Sequence, residues 1–343
     1  MRRLAKVILL CALATVIVAI GSGAAWERVE RNRAAAEFPA PGKMIDIGGR
    51  AVHLDCRGHG SPTVVLESGA DTSGSALWFP VHEQVAAFTR VCSYDRAGLM
   101  WSEPAGAGPR DPVAVVADLQ RTLRTANESS PYVMVGASLG GPLTMIFTKY
   151  YGSEVAGLVF VDAAHPDQTG RLAAATGRQE DGIPAVFKVL RYLAWTGLPR
   201  LLIPEPTVPE LPPDVVAAIG AYQPVSLAAS FDEAEAMEST LREAGTFRNL
   251  GDRPLAVLTR GKPWSAYSES ERTATGMTRE QFERMQQAWW EMQVEEASWS
   301  TQSTQRKLDD SSHVIQLERP DAVVDAIRAV VAQVHARNAA TTR

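Results

Sequence analysis

One serine set between glycines, Gly136-Ala137-Ser138-Leu139-Gly140, is the pattern in this chain that promises the most chemistry. It follows an apolar, β-branched run, Tyr132–Val135, and precedes a helical stretch, Pro142–Tyr151. A strand that turns sharply into a helix leaves the serine hydroxyl exposed, and flanking glycines let the backbone close around it. The helix start and the Leu139 amide then face any oxygen that becomes negative during attack on a carbonyl. A serine hydroxyl is a weak nucleophile and needs a base to take its proton. Six histidines could serve: His53, His59, His82, His165, His313 and His335. The residues alone leave open which of them does, and a Gly/Ser turn without chemistry is the bland alternative.

The elements that must position these groups alternate along the chain. Met44–Gly48 and Ala51–Asp55 read as a hairpin about Gly49-Arg50, and Thr63–Glu67, Arg90–Tyr94, Tyr132–Val135, Val155–Val161 and Pro254–Thr259 read as further strands. Helical stretches lie between them, including Pro112–Ala126, and the chain closes on Pro320–Val334 with Val323, Val324, Ile327, Val330, Val331 and Val334 at helical spacing. Such alternation predicts a largely parallel sheet with helices on both faces. From Ala163 to Arg253 it stops. Helix-like segments (Ile183–Trp195, Asp214–Ala221, Phe231–Phe247) and a Pro-rich loop at Leu198–Pro213 predict a helical insertion over the sheet. Thr278–Trp299 is helical too, and its aromatics Phe282, Trp289, Trp290 and Trp299 read as core.

The chain has 343 residues, 34 Lys+Arg against 39 Asp+Glu, a net charge of −5, and is 45% hydrophobic. That excludes a disordered chain, and the acidic excess argues against nucleic acid as a partner. Three cysteines make neither a disulfide scaffold nor a zinc-type CxxC pair, and no cofactor or metal is implied. The N-terminus departs from the average. After Arg2, Arg3 and Lys6 no charge occurs from Val7 to Trp26, enough apolar chain to cross a bilayer as a helix. Residues 1–26 are therefore expected to be a signal anchor, or a signal peptide if cleaved. Gly23-Ala24-Ala25 is only loosely like a cleavage site, which favours the anchor. Residues 27–42, charged, Ala-rich and ending Pro39-Ala40-Pro41-Gly42, read as a tether holding an extracytoplasmic domain.

Pro62-Thr63-Val64-Val65-Leu66-Glu67-Ser68-Gly69, then Tyr94-Asp95-Arg96-Ala97-Gly98, then the glycine-serine turn, resemble the α/β-hydrolase superfamily over about residues 43–338. More narrowly, they are similar to bacterial membrane-anchored or secreted hydrolases with a YDRAG motif at strand four. The resemblance implies a mostly parallel eight-stranded sheet with helices on both faces: core residues 43–162, a helical cap at 163–253, core residues 254–338 and a tail at 339–343. It implies a catalytic order Ser…acid…His, with the histidine in a loop before the last helix, which is His313 in Ser312-His313-Val314. The usual acid turn after the 254–259 strand reads Gly261-Lys262-Pro263-Trp264, with Trp264 in the acid's place. A minority of the superfamily carries the acid one strand earlier, where Asp162 ends Val155–Val161, so Asp162 is the expected acid. Asp167, Asp310 and Glu269 are weaker candidates. Gly69 and the Ala70 amide stand where the second oxyanion donor belongs, with Asp71 and Ser73 close by. Asp95 and Arg96 are expected to hold their loop. Met100 stands where the group usually has Gly. Cys56 and Cys92 fall on neighbouring strands of that fold, and a disulfide or two buried thiols fit equally.

The expectation is therefore a serine hydrolase acting by acyl transfer: Ser138 as nucleophile, His313 as base, Asp162 as acid, and the Leu139 and Ala70 amides as oxyanion hole. Small-molecule carboxylic esters are the default substrate. Prolyl-type aminopeptidase and thioester or lactone hydrolase are the enzymatic rivals, and a non-catalytic binding protein is the rival of another class.

Overall fold

The computed structural model describes residues 2–106, 110–178, 189 and 192–341. Its central strands are the runs of apolar residues buried on both faces: β3 (Thr63–Glu67), β4 (Val91–Tyr94), β5 (Tyr132–Ala137), β6 (Val155–Val161) and β7 (Leu255–Arg260). A hairpin of β1 (Lys43–Asp46) and β2 (Ala51–Arg57) joins one edge and β8 (Ser303–Leu308) the other. The order is β1-β2-β4-β3-β5-β6-β7-β8. The β1/β2 and β2/β4 pairs are antiparallel and the rest parallel. No apolar run announces β8, Ser-Thr-Gln-Arg-Lys-Leu. As an edge strand it is mostly exposed, and polar side chains there discourage pairing with other chains.

Helices cover both faces, as parallel strands require. On one side α3 (Pro112–Thr125) and α4 (Gly140–Tyr151) bring Val116, Leu119, Leu123, Ile146 and Phe147 to the sheet. On the other, α2 (Phe79–Ala86) and the C-terminal helix Pro320–Thr341 bring Val81, Val85, Val323, Ile327 and Val330. Cys56 and Cys92 face one another across the β2/β4 register and are joined as a disulfide.

Two expectations need correction. Residues 27–42 are not a loose tether. A single helix, α1, runs from Arg2 to Glu37, with Glu27 and Ala34 buried against the domain. Nothing between Ala24 and Phe38 breaks a helix, and alanine favours one, so the chain yields only at Pro39. The cap between β6 and β7 begins with α5 (Gln168–Thr176) and continues through α6 (Leu198–Leu202). Asp214–Ala221 and Phe231–Phe247 then prove to belong to one 33-residue helix, α7 (Pro213–Gly245), with Pro224 inside it. A proline costs a helix its hydrogen bond to the carbonyl four residues back, and here Arg200 Nη1 donates to the Ala221 carbonyl beside the break (3.2 Å). Most of the expected helix Ile183–Trp195 lies outside the described residues. Between β7 and β8 come α8 (Glu269–Thr275) and α9 (Arg279–Ser298), each started by a capping box. A short α10 (Ile315–Glu318) leads into the last helix, α11.

Candidate active site

Ser138 sits at the turn from β5 into α4 with φ +51°, a backbone state that non-glycine residues adopt at a cost. The turn closes because its neighbours have no side chains. A Cβ on Gly136 would come within 2.4 Å of the Gly140 carbonyl, and one on Gly140 within 2.4 Å of the Glu67 carbonyl. The serine's backbone is tied to the end of β6: Ser138 N donates to Val161 O (3.3 Å), and Ala164 N donates to Ser138 O (2.9 Å).

Between those two bonds lies Asp162, buried, with φ +47°. The left-handed turn, which Asp tolerates better than most residues, aims its carboxylate at four donors. Oδ2 meets His313 Nδ1 (2.6 Å) and Arg260 Nη1 (2.7 Å). Oδ1 accepts from Arg260 N (3.0 Å) and Trp289 Nε1 (2.7 Å). Burial alone would push this carboxyl up, but the Arg260 charge and the His313 bond prevail and hold it down at about 2. A carboxylate at Oδ2 requires Nδ1 of His313 to carry a proton, so Nε2 is the ring nitrogen turned away from Asp162. Arg260 Nη1 lies 3.1 Å from the same Nδ1, a close approach of two donors rather than a bond. His313 is 45% exposed, and among the described residues Ser138 Oγ makes no hydrogen bond to it.

The His313 loop is pinned from both sides. Ser312 Oγ donates to Glu318 Oε1 (2.9 Å), and the Lys262 amide donates to the Ser311 carbonyl (3.0 Å). Trp264, in the usual acid's place, stacks on Phe282 with ring centres 5.1 Å apart. The end of β7 thus contributes the cation Arg260, and the turn after it no carboxylate. The weaker acid candidates are engaged elsewhere: Asp167 is paired with Arg248 (2.7 Å), Asp310 with Arg319, and Glu269 opens α8 at the surface. Of the other histidines, His53 spans Asp95 (2.7 Å) and the Pro41 carbonyl (2.6 Å). Burial pulls the ring's pKa down, but Asp95 and the Pro41 carbonyl together raise it above the usual histidine value.

The segment carrying the Ala70 amide is held by Arg96. This buried guanidinium donates to the Ser68 and Gly69 carbonyls (2.8 and 2.6 Å), and pairs with Glu67 (2.6 Å) and with Glu233 of the cap helix (2.7 Å). Tyr94 donates to Glu67 as well. Gly69 lies directly over Ser138, where a Cβ would stand 3.2 Å from the serine Cβ. Neither the Leu139 nor the Ala70 amide donates to another group among the described residues. Asp71 accepts from the Ser73 and Gly74 amides (2.6 and 2.8 Å) and so shapes this loop. Met100 takes φ +42°, the backbone a glycine would prefer, and its amide is held by Ser226 Oγ of the cap (2.8 Å). Removing Arg96 would strand two buried carboxylates. Arg96→Ala is expected to cost about 3–5 kcal/mol in denaturant unfolding, and a loss under 1 kcal/mol would show that the network carries little.

Residue-type reasoning missed Arg260, Trp289 and Glu233, and it missed Glu296. Glu296 is buried on α9 with neither carboxyl oxygen in a hydrogen bond of normal geometry, although Gln293 lies close enough to favour its charge slightly. Burial, reinforced by Asp162, pushes it well above the usual range. A carboxyl raised by folding favours the native state at low pH, and that contribution is lost as pH rises above the unfolded value near 4.5. Glu296→Gln is therefore expected to stabilise the protein by about 1–3 kcal/mol at pH 8 and hardly at all at pH 4. Thermal melts at the two pH values check it, and equal effects at both would refute it.

The alpha/beta hydrolase family model matches residues 59–326. The chain belongs to the alpha/beta hydrolase family. Among solved structures, this alpha/beta hydrolase is similar to a thermophilic esterase from Thermogutta terrifontis: TM-score 0.58, 21% identity, 85% of this chain and 98% of that one. It is also similar to an enol-lactonase from Burkholderia xenovorans LB400: TM-score 0.56, 17% identity, 84% of this chain and all of that one. Likeness at such identity is a likeness of fold. An uncharacterised protein of Schizosaccharomyces pombe is 32% identical over 154 residues, which take in 36% of this chain and 28% of that one. The alpha/beta hydrolase thus spans well under a third of that curated relative's length.

Proposed function

We propose that the protein is a serine hydrolase working by acyl transfer, with Ser138 as nucleophile, His313 as general base and Asp162 as its orienting acid. The observation that carries this reading is the Asp162–His313 bond of 2.6 Å beside a serine strained to φ +51° at a strand-to-helix turn. Ser138 would attack the carbonyl carbon and pass its proton to His313 Nε2, while the oxygen that becomes negative receives the Leu139 and Ala70 amides. The imidazolium, steadied by Asp162, would then protonate the leaving group, and water activated by the same histidine would release the acid from Ser138. Serine at this turn favours ester-type chemistry, since epoxide hydrolases and dehalogenases of this superfamily place aspartate there. Small-molecule carboxylic esters are the substrate class we favour, and the esterase and lactonase likenesses agree with it.

We further propose that α1 anchors the domain. An 18-residue window of it has a mean hydropathy of 2.6 and none of that window is buried, and Arg2, Arg3 and Lys6 stand ahead of the uncharged run that starts at Val7. A fluorophosphonate probe tests the catalytic reading: native protein should lose esterase activity as one adduct forms on Ser138. Folded protein that resists the probe would favour a binding protein on the same fold.

A further inference from the structure

The cap carries a row of large apolar side chains that the fold does not cover. Trp195, Leu198, Leu201 and Leu202 are exposed, Leu201 by 70%. A soluble surface seldom holds so many together without a partner.

Their position relative to α1 indicates what that partner is. Gly23 lies against the Thr196 carbonyl so tightly that a Cβ would stand 2.3 Å from it, and Gly197 faces the Trp26 ring at 2.8 Å by the same measure. Arg200 pairs with Glu27 at 3.0 Å, with Glu27 buried. These three contacts fix cap residues 194–202 at one level along α1. Gly23 is only three residues, about 4.5 Å of helix rise, beyond Ile20, the last large apolar residue of the exposed span. Glu27 is buried between Arg31 and Arg200, and the exposed residues of cap segment 194–202 are all apolar: Trp195, Leu198, Leu201 and Leu202. That is the composition of a surface resting in the headgroup region of a bilayer.

We propose that this cap face, Trp195, Leu198, Leu201 and Leu202, beds into the lipid interface beside the point where α1 leaves the membrane. The protein would then hold the bilayer at two places, a span and a surface patch. The inference rests on the anchor reading above, and its test separates the two.

Full-length protein carrying Cys11→Ser is reconstituted in phosphatidylcholine vesicles with a nitroxide at one introduced cysteine, Leu201→Cys, Ile17→Cys or Met44→Cys. All three sites are exposed, so labelling should not disturb folding. Collision with oxygen and with a water-soluble nickel complex is measured for each. The expected result is that the label at 201 loses its collisions with nickel and keeps those with oxygen, as at 17, while that at 44 collides freely with nickel. If 201 behaves like 44 while 17 lies in lipid, the cap proposal falls and the anchor stands. If 17 is itself in water, the anchor reading falls and takes the proposal with it. If 201 is shielded from both reagents, protein rather than lipid covers it, and the proposal is equally overturned.

Discussion

Ser138→Ala is expected to lower kcat/KM toward activated esters by roughly 10⁴–10⁶-fold and to abolish the fluorophosphonate adduct. The loss is large because acyl transfer has no covalent route without the hydroxyl, whatever the amides of Leu139 and Ala70 still contribute. Stability should barely change, since alanine keeps the Cβ and the left-handed backbone of φ +51°. Ser138→Gly makes the contrast sharper. Removing the Cβ relieves a strain of about 1–2 kcal/mol, so this variant should melt higher than wild type while being just as inactive. Steady-state kinetics and thermal melts on the three proteins decide the matter. An alanine variant retaining a tenth of the activity would end the claim that Ser138 is the nucleophile.

Asp162→Asn is expected to reduce kcat by about 10⁴-fold. The carboxylate accepts from four donors, and an amide has only one oxygen to offer them. Its NH2 would face either His313 Nδ1 and Arg260 Nη1, or Trp289 Nε1 and the Arg260 amide, a donor against donors in both orientations. The ring would turn or change tautomer, and Arg260 would be left as an unopposed charge against any imidazolium that forms. Because its carboxyl is held at about 2, Asp162 stays ionised throughout the working range. Any acid limb of the rate profile above about pH 4 must therefore come from another group. The stability this carboxylate contributes is present above the ordinary value of 3.8 and is lost as pH falls toward 2. Near-normal turnover in the asparagine variant would move the acid's role to Asp167 or to a carboxylate between 265 and 310.

The fold was legible where burial leaves a periodic mark. The five central strands are apolar runs buried on both faces, and the turn at Ser138 announces itself through glycines that no side chain could replace. The eighth strand was not legible, because an edge strand facing water carries no such mark. Nor was the continuity of α7 across Pro224, since proline usually ends a helix and Arg200, the donor to the nearby Ala221 carbonyl, meets it only in the folded cap. The same limit applies at the site. Motif and resemblance could single out Ser138, Asp162 and His313, but Arg260 ends a strand as any arginine might, and Trp289 looks like core. What makes them neighbours of Asp162 is the stacking of β6, β7 and α9, a property of tertiary structure rather than of spacing. At Trp264 the missing carboxylate was visible, whereas the arginine that faces Asp162 from the end of β7 was not.

The Arg96–Glu233 pair restricts how this enzyme can be entered. A cap fastened beneath the site by a buried ion pair resists hinging, because lifting it would break the Arg96–Glu233 pair and leave Glu67 to face Arg96 alone. Entry that leaves this pair intact is the expectation, and progress curves should then rise linearly from the first moment, without the lag of a gate that waits to be lifted.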